Sequence, residues 1–258
     1  MHDTPSVLLT NDDGIDALGL RSLRNALTET YDVTVVAPAT NMSGVARADS
    51  RSFAVDKREA GYAIQGTPVD CVHYARGYLD TEFDAVVSGC NDGPNFGAHK
   101  LERSGTVAAA IEAAFLGLPG LAFSLYDHPG GSRAFAREDY ELAEQVAAFL
   151  LERVVDEGLP AGCEYLNVNV PADQPTPRLR LTEPTEDFDV RVDETAEGFR
   201  VWDHFYDPLE HDNVPMTDAV GTDRRAIADE EVSVSPLSVE HRTPSLAAAA
   251  SLVEEFEH

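Results

Sequence analysis

The first two thirds of the chain alternate short apolar runs with longer amphipathic ones. Val7 to Thr10 is a short apolar run bounded by polar turn residues, which predicts a buried strand. From Leu18 an amphipathic run follows, with Leu20, Leu23 and Leu27 at helical spacing. Asp32 to Pro38 predicts a second strand, and a polar loop runs from Ala39 to Arg51. Tyr62 to Gln65 reads as a strand, and Pro68 opens a helix that continues through Tyr78. Phe83 to Gly89 reads as a third central strand, with a Gly- and Asn-containing loop after it to Gly105. Thr106 to Leu116 predicts a small-residue helix. Gly120 to Leu125 and Tyr165 to Val170 supply further strands around a long helix near Glu138 to Glu157. Strands alternating with helices imply a mostly parallel, doubly wound α/β sheet with right-handed crossovers.

After Pro171 the pattern changes. Pro175, Pro177 and Pro184 punctuate the chain, and Glu183 to Asp223 is acidic, contains aromatics and lacks a clean period. Strand-like runs stand at Arg178 to Thr182, Phe199 to Phe205 and Glu231 to Ser235, and Leu246 to Phe256 predicts a closing helix. The expected division is a core over 1–171, an extended-hairpin appendage over 172–235 that packs on another subunit, and a helix within 236–258 that returns to the core. There is no internal repeat and no low-complexity tract.

Composition narrows the function classes. With 258 residues the chain is long enough to bury a core without disulfides or metal staples. Its 46 acidic and 19 basic residues give a net charge of -27, a field that repels duplex nucleic acid and anionic membranes. The acid is dispersed and lysine is confined to Lys57 and Lys100, as expected of a surface suited to high salt. Cys71, Cys90 and Cys163 have no pairing or metal-like spacing and read as reduced thiols of a cytoplasmic protein. The amino terminus carries no signal-peptide pattern, and no run approaches the roughly 18 apolar residues of a membrane span.

The candidate chemistry lies in four loops. Asn11-Asp12-Asp13-Gly14 follows the first strand directly. Adjacent carboxylates repel unless a cation neutralises them, and the carboxyl edge of an open α/β sheet is where ligands gather. The second loop holds Ser43-Gly44, the third Asn91-Asp92-Gly93-Pro94-Asn95, and the fourth is Ser104-Gly105-Thr106 ahead of a helix. Oxygens from Asp12, Asp13, Ser43 and Asn91 would make a hard site suited to one magnesium or manganese ion. Backbone N–H groups and hydroxyls of Ser104, Gly105 and Thr106 offer a place for a phosphate. Each loop alone also fits an ordinary turn or helix cap. Their placement after successive strands is what favours a shared cleft.

The chain resembles the SurE family, metal-dependent nucleotidases that hydrolyse nucleoside monophosphates. The resemblance rests on Leu8 to Gly14, on Val35 to Pro38 with Asn41 and Ser43-Gly44, and on Gly66 to Val72. It continues through Val87 to Gly97, Ser104 to Ala110, Asn167 to Pro171 and Gly221 to Asp223, in order over about 1–240. It implies a Rossmann-like core, a C-terminal hairpin exchanged between subunits, and a homodimer or homotetramer. It also implies that Asp12, Asp13, Ser43 and Asn91 ligate the metal, with Asn95 and Ser104 to Thr106 beside the phosphate.

The expected reaction is metal-assisted phosphomonoester hydrolysis, in which Asn11, Asn95 and Ser104 to Thr106 hold the phosphate in line. Asp12 or Asp13 is then the candidate for the proton of the attacking water. No histidine stands in these motifs to serve as a general acid. An aspartyl-phosphate mechanism is disfavoured, because Asp12, Asp13 and Asp16 lack an acidic partner at Asp-x-Asp-x-Thr/Val spacing. His73 reads as a packed or surface histidine, and Trp202 and Phe205 as strand packing or a subunit contact. Departures from the family pattern stand at Asp16, Leu18, Ala39, Thr40, Met42, Asp92 and Arg103, and they bear on nucleotide preference and on any action on polyphosphate. The rival from another class is a nonenzymatic nucleotide- or metal-binding module on the same fold.

Overall fold

The computed structural model describes residues 4–127, 133–172, 174, 177–211 and 213–240. In chain order the elements begin β1 (Ser6–Thr10), α1 (Leu18–Leu27), β2 (Asp32–Pro38), β3 (Val55–Arg58), β4 (Gly61–Ile64) and α2 (Pro68–Tyr78). They continue with β5 (Ala85–Asp92), α3 (Ala98–Leu101), α4 (Gly105–Phe115), β6 (Gly120–Tyr126), α5 (Glu141–Glu157) and β7 (Tyr165–Pro171). The last are β8 (Leu179–Leu181), β9 (Val190–Thr195), β10 (Gly198–Asp203), α6 (Asp207–Glu210), α7 (Asp223–Ala228) and β11 (Val232–Leu237).

Nine strands form one sheet in the order β3-β4-β2-β1-β5-β6-β7-β11-β8. Strands β4, β2, β1, β5, β6 and β7 run parallel, while β3 and β11 pair antiparallel to their neighbours β4 and β7. Helices on both faces account for the continuous apolar runs, since both sides of a central strand are buried. In β1, Val7 and Leu9 point into the core that includes α1 and α5, and Leu8 into the one that includes α2 and α4. Chain order reverses direction beside β1, between β2 and β5, which is where a doubly wound sheet opens a ligand crevice.

The structure adjusts several expected boundaries. The third central strand starts at Ala85 rather than Phe83 and runs past Gly89 to Asp92, with an irregularity between Ser88 and Asn91. Asn91 and Asp92 are thus the tip of a strand and not part of a free loop. The helix after Ser104 begins at Gly105, and Ser104 caps it by accepting a hydrogen bond from Val107 N. The long helix proper starts at Glu141, behind a 3-10 turn over Arg137–Tyr140. Of the 172–235 segment, β8 and β11 extend the main sheet, and β9 with β10 alone form the hairpin. Strand β3 lies where no strand was expected: its burial is low and its Asp-Lys-Arg sequence carries no apolar period. The expected closing helix, Leu246 to Phe256, lies outside the described residues.

Candidate metal and phosphate site

Strand β1 ends at Thr10, and the turn behind it is shaped by Asn11. The Asn11 amide nitrogen donates to Gly14 O at 3.0 Å, and Gly14 N donates back to Asn11 Oδ1 at 3.2 Å. Its side chain therefore shapes the turn, with a second amide N–H beyond the one given to Gly14 O. The loop is tied to its neighbour, because Met42 N donates to Asp12 O at 2.7 Å and Ile15 N to Pro38 O at 2.8 Å.

Asp12 points under the start of α4. Its carboxylate is almost fully buried, and Thr106 Oγ1 donates to Asp12 Oδ1 at 2.5 Å. Gly105 is required here: a Cβ on it would lie 2.7 Å from Asp12 Cβ and 2.8 Å from Oδ2. Burial holds the Asp12 carboxyl above its ordinary range, against the opposing effect of the Thr106 hydroxyl and nearby backbone N–H groups.

Asp13 engages the loop after β2 and the tip of β5. Its Oδ1 accepts from Asn41 Nδ2 at 3.3 Å and lies 3.5 Å from Ser43 Oγ, while Oδ2 accepts from Asp92 N at 3.2 Å. Burial, and next the charge of Asp12, raises the Asp13 carboxyl from 3.8 to about 6. Ser43 is itself fixed by donating its backbone N–H to Asn41 Oδ1 at 2.8 Å. At the tip of β5, Asn91 Nδ2 donates to Gly93 O at 2.5 Å, which leaves the amide oxygen as its atom for a cation.

Asp12 and Asp13 are thus brought together with Thr106, Ser43 and the β5 tip. Among the described residues no group of three or more His, Cys, Asp and Glu side chains could hold a metal. The donors here are instead two carboxylates, a hydroxyl and an amide oxygen, all hard. Two desolvated neighbouring carboxylates with raised proton affinity are a site that a divalent cation would relieve, so the residues fit a magnesium- or manganese-like ion.

Asn95 is held from beneath by residues for which the sequence reading had no role. Asn95 N donates to Asn169 Oδ1 at 2.8 Å, and Asn95 O accepts from both Asn167 Nδ2 and Asn169 Nδ2 at 2.8 Å. Its own amide nitrogen donates to Ser124 Oγ at 2.9 Å, leaving one N–H for a ligand. Asn167 and Asn169 are fully buried at the end of β7. The available signal was the polar-apolar alternation Asn-Val-Asn-Val in an otherwise buried strand. Asp70, buried at the start of α2, similarly pins the far end of the Ser43 loop by accepting from Ser50 N at 2.8 Å. His73 is a surface residue of α2 bonded to Glu112 Oε1 at 2.8 Å, remote in role from these loops.

A family model described as "Survival protein SurE" matches residues 7–190. The chain belongs to the SurE family. A 5'-nucleotidase SurE of Natronomonas pharaonis is 42% identical, covering 97% of this chain and 99% of its own length. One from Haloarcula marismortui is 40% identical, covering 99% of this chain and 96% of its own, and one from Methylococcus capsulatus is 41% identical over 91% of each. The crystal structure of the SurE protein from Aquifex aeolicus superposes with a TM-score of 0.81 at 29% identity, covering 97% of this chain and all of that one. SurE membership therefore spans both the sheet and the hairpin-bearing segment.

Proposed function

We propose that this SurE chain is a metal-dependent 5'-nucleotidase that hydrolyses nucleoside monophosphates to nucleoside and phosphate. The observation that carries the site is the pairing of Asp12 and Asp13 at the β1 tip, one fastened to Thr106 of α4 and the other to the Ser43 loop and the β5 tip. Asp12, Asp13, Ser43 and Asn91 would hold one divalent ion per subunit. When bound, that ion supplies stabilisation of charge on the phosphoryl group. The residues do the positioning. The phosphate lies beside the α4 N-terminus at Ser104, Gly105 and Thr106, where the Ser104 hydroxyl can donate to it while the Thr106 hydroxyl is held by Asp12, and the second N–H of Asn95 donates to another oxygen. One of the two carboxylates accepts a proton as water adds to phosphorus. The P–O5' bond breaks, and the leaving oxygen takes up a proton to give the nucleoside hydroxyl.

The curated relatives carry nucleotidase names, so a nonenzymatic module on this fold is not favoured. Assay of a panel of mononucleotides, general phosphomonoesters and short polyphosphate in high salt tests the reading. Turnover of mononucleotides above the other classes is expected, and binding without turnover would establish the nonenzymatic reading instead.

The hairpin is proposed as the contact between subunits of a homodimer or homotetramer. Val192 and Val201 pair across it, and Phe199 and Val190 extend the same face. All four are exposed, which is unusual for apolar side chains on a two-stranded ribbon. A second copy of the chain would cover them.

A further inference from the structure

We propose that Asp223 is a positioning residue for the phosphate, acting on Asn95 through the backbone of Gly97. This rests on the nucleotidase reading of the site. Asp223 opens α7, far from Asn95 in sequence, and its side chain is fully buried. Its Oδ2 accepts from Gly97 N at 2.6 Å, and its Oδ1 accepts from Thr185 N at 2.9 Å and Arg224 N at 2.7 Å. Ala98 N in turn donates to Thr185 O at 2.9 Å, so the 95–98 loop and the entry to the hairpin are joined on both sides of one carboxylate.

Position 97 admits only glycine in this arrangement. Its φ is +80°, and a Cβ would lie 2.3 Å from Cζ of Phe205. The Phe205 ring also packs on Phe96, with centroids 5.2 Å apart. Arg224 anchors that ring from behind. Its guanidinium is almost fully buried, lies 4.9 Å from the Phe205 centroid, and donates to Phe205 O at 2.8 Å and to Asp218 and Asp187 at 2.7–2.9 Å. A buried guanidinium left unpaired is strongly destabilising, so this anchor is all-or-none. The loop that presents Asn95 is thus clamped from below by Asn167 and Asn169 and latched from the side by Asp223. The fixed hydrogen bonds restrict the loop to one geometry, and a phosphate donor displaced by about 1 Å loses much of its catalytic value.

The test compares Asp223→Asn with Thr182→Val, a control whose buried hydroxyl bonds Ser233 Oγ and Ser235 Oγ of β11 and neither Gly97 nor Thr185. Asparagine at 223 can face its oxygen to only one of the two donor sets, so an N–H confronts either Gly97 or Thr185. Mononucleotide kinetics with manganese are expected to show KM raised at least fivefold and kcat/KM lowered at least tenfold. Manganese affinity, read by calorimetry, is expected to stay within twofold. Thr182→Val is expected to lower the melting temperature alone. Hydrogen exchange needs no turnover: residues 95–103 are expected to exchange at least tenfold faster in Asp223→Asn, with α5 unchanged. Should Asp223→Asn not accumulate folded, Asp223→Glu carries the same test, because it keeps the charge and displaces the acceptor by one methylene. Wild-type kinetics in a destabilised variant, or unchanged exchange over 95–103, would overturn the latch. Wild-type protein inert toward every mononucleotide would overturn the parent reading and the catalytic half of this one, and the exchange result would still separate the two.

Discussion

In β1, Val7 through Thr10 are completely buried and deliver Asp12 and Asp13 to a crevice between neighbouring loops, whereas in the hairpin Phe199 is 77% and Val201 65% exposed. Both regions are made of strands rich in β-branched and apolar residues. In the first, two parallel neighbours, β2 and β5, and helices on both faces take up the apolar surface, and what the strand carries to the sheet edge is polar. In the second, one antiparallel pairing satisfies the backbone, and Val190, Val192, Phe199 and Val201 stay exposed among the described residues. On the proposed reading, the sheet edge does the chemistry and the ribbon meets a second copy of the chain.

The largest expected effect separates chemistry from folding. Asp12→Asn or Asp13→Asn should lower metal-dependent phosphatase turnover at least a thousandfold while the circular dichroism spectrum remains near wild type. Near-wild-type turnover in either variant would break the assignment. On the hairpin, Phe199→Asp with Val201→Asp should reduce the assembly by a full subunit step in sedimentation, with an unchanged circular dichroism spectrum. An unaltered mass would show that the ribbon does not join subunits.

Those two regions also differ in how far the sequence discloses them. The central strands were legible because burial on both faces turns them into uninterrupted apolar runs such as Leu8-Leu9 and Val86-Val87. Asp12 and Asp13 were legible because two carboxylates directly after such a run need a reason, and Ser43 and Asn91 because they follow neighbouring strands. What was not legible depends on contacts distant in sequence. Whether β8 and β11 belonged to the appendage or to the main sheet is decided by their pairing with each other and with β7, which no local period records. The engagement of Asn11 within its own turn, and the support of Asn95 by Ser124, Asn167 and Asn169, likewise appear only when the loops are in place.

Two further predictions sharpen the account of the sheet edge. Asn169→Ala removes the acceptor for Asn95 N and one donor to Asn95 O, leaving buried polar groups unpaired at about 1–3 kcal/mol. A fall in kcat/KM of roughly tenfold is expected with metal affinity unchanged, since displacement of one phosphate donor is the sole consequence at the site. Unchanged kinetics would remove Asn95 from the phosphate contacts.

The smaller effect concerns pH. The Asp13 carboxyl is raised to about 6, so its proton competes with the cation. Manganese affinity should be complete above that value and fall as pH drops through it, by about tenfold at one unit below. In the metal-free protein the sign is the reverse of an ordinary ion pair: ionised Asp13 is a stability cost above pH about 6 that acidification relieves, because the folded value lies above the ordinary 3.8. Calorimetric titration across this range, with Asp13→Asn as the comparison, checks both. Affinity independent of pH would show that Asp13 does not bind the ion.

The most direct measurement of the central claim is phosphate release from a nucleoside monophosphate by chelator-treated protein titrated with manganese. Turnover is predicted to be absent after chelation and to return in full at one manganese ion per chain. Undiminished turnover after complete metal removal would contradict the account.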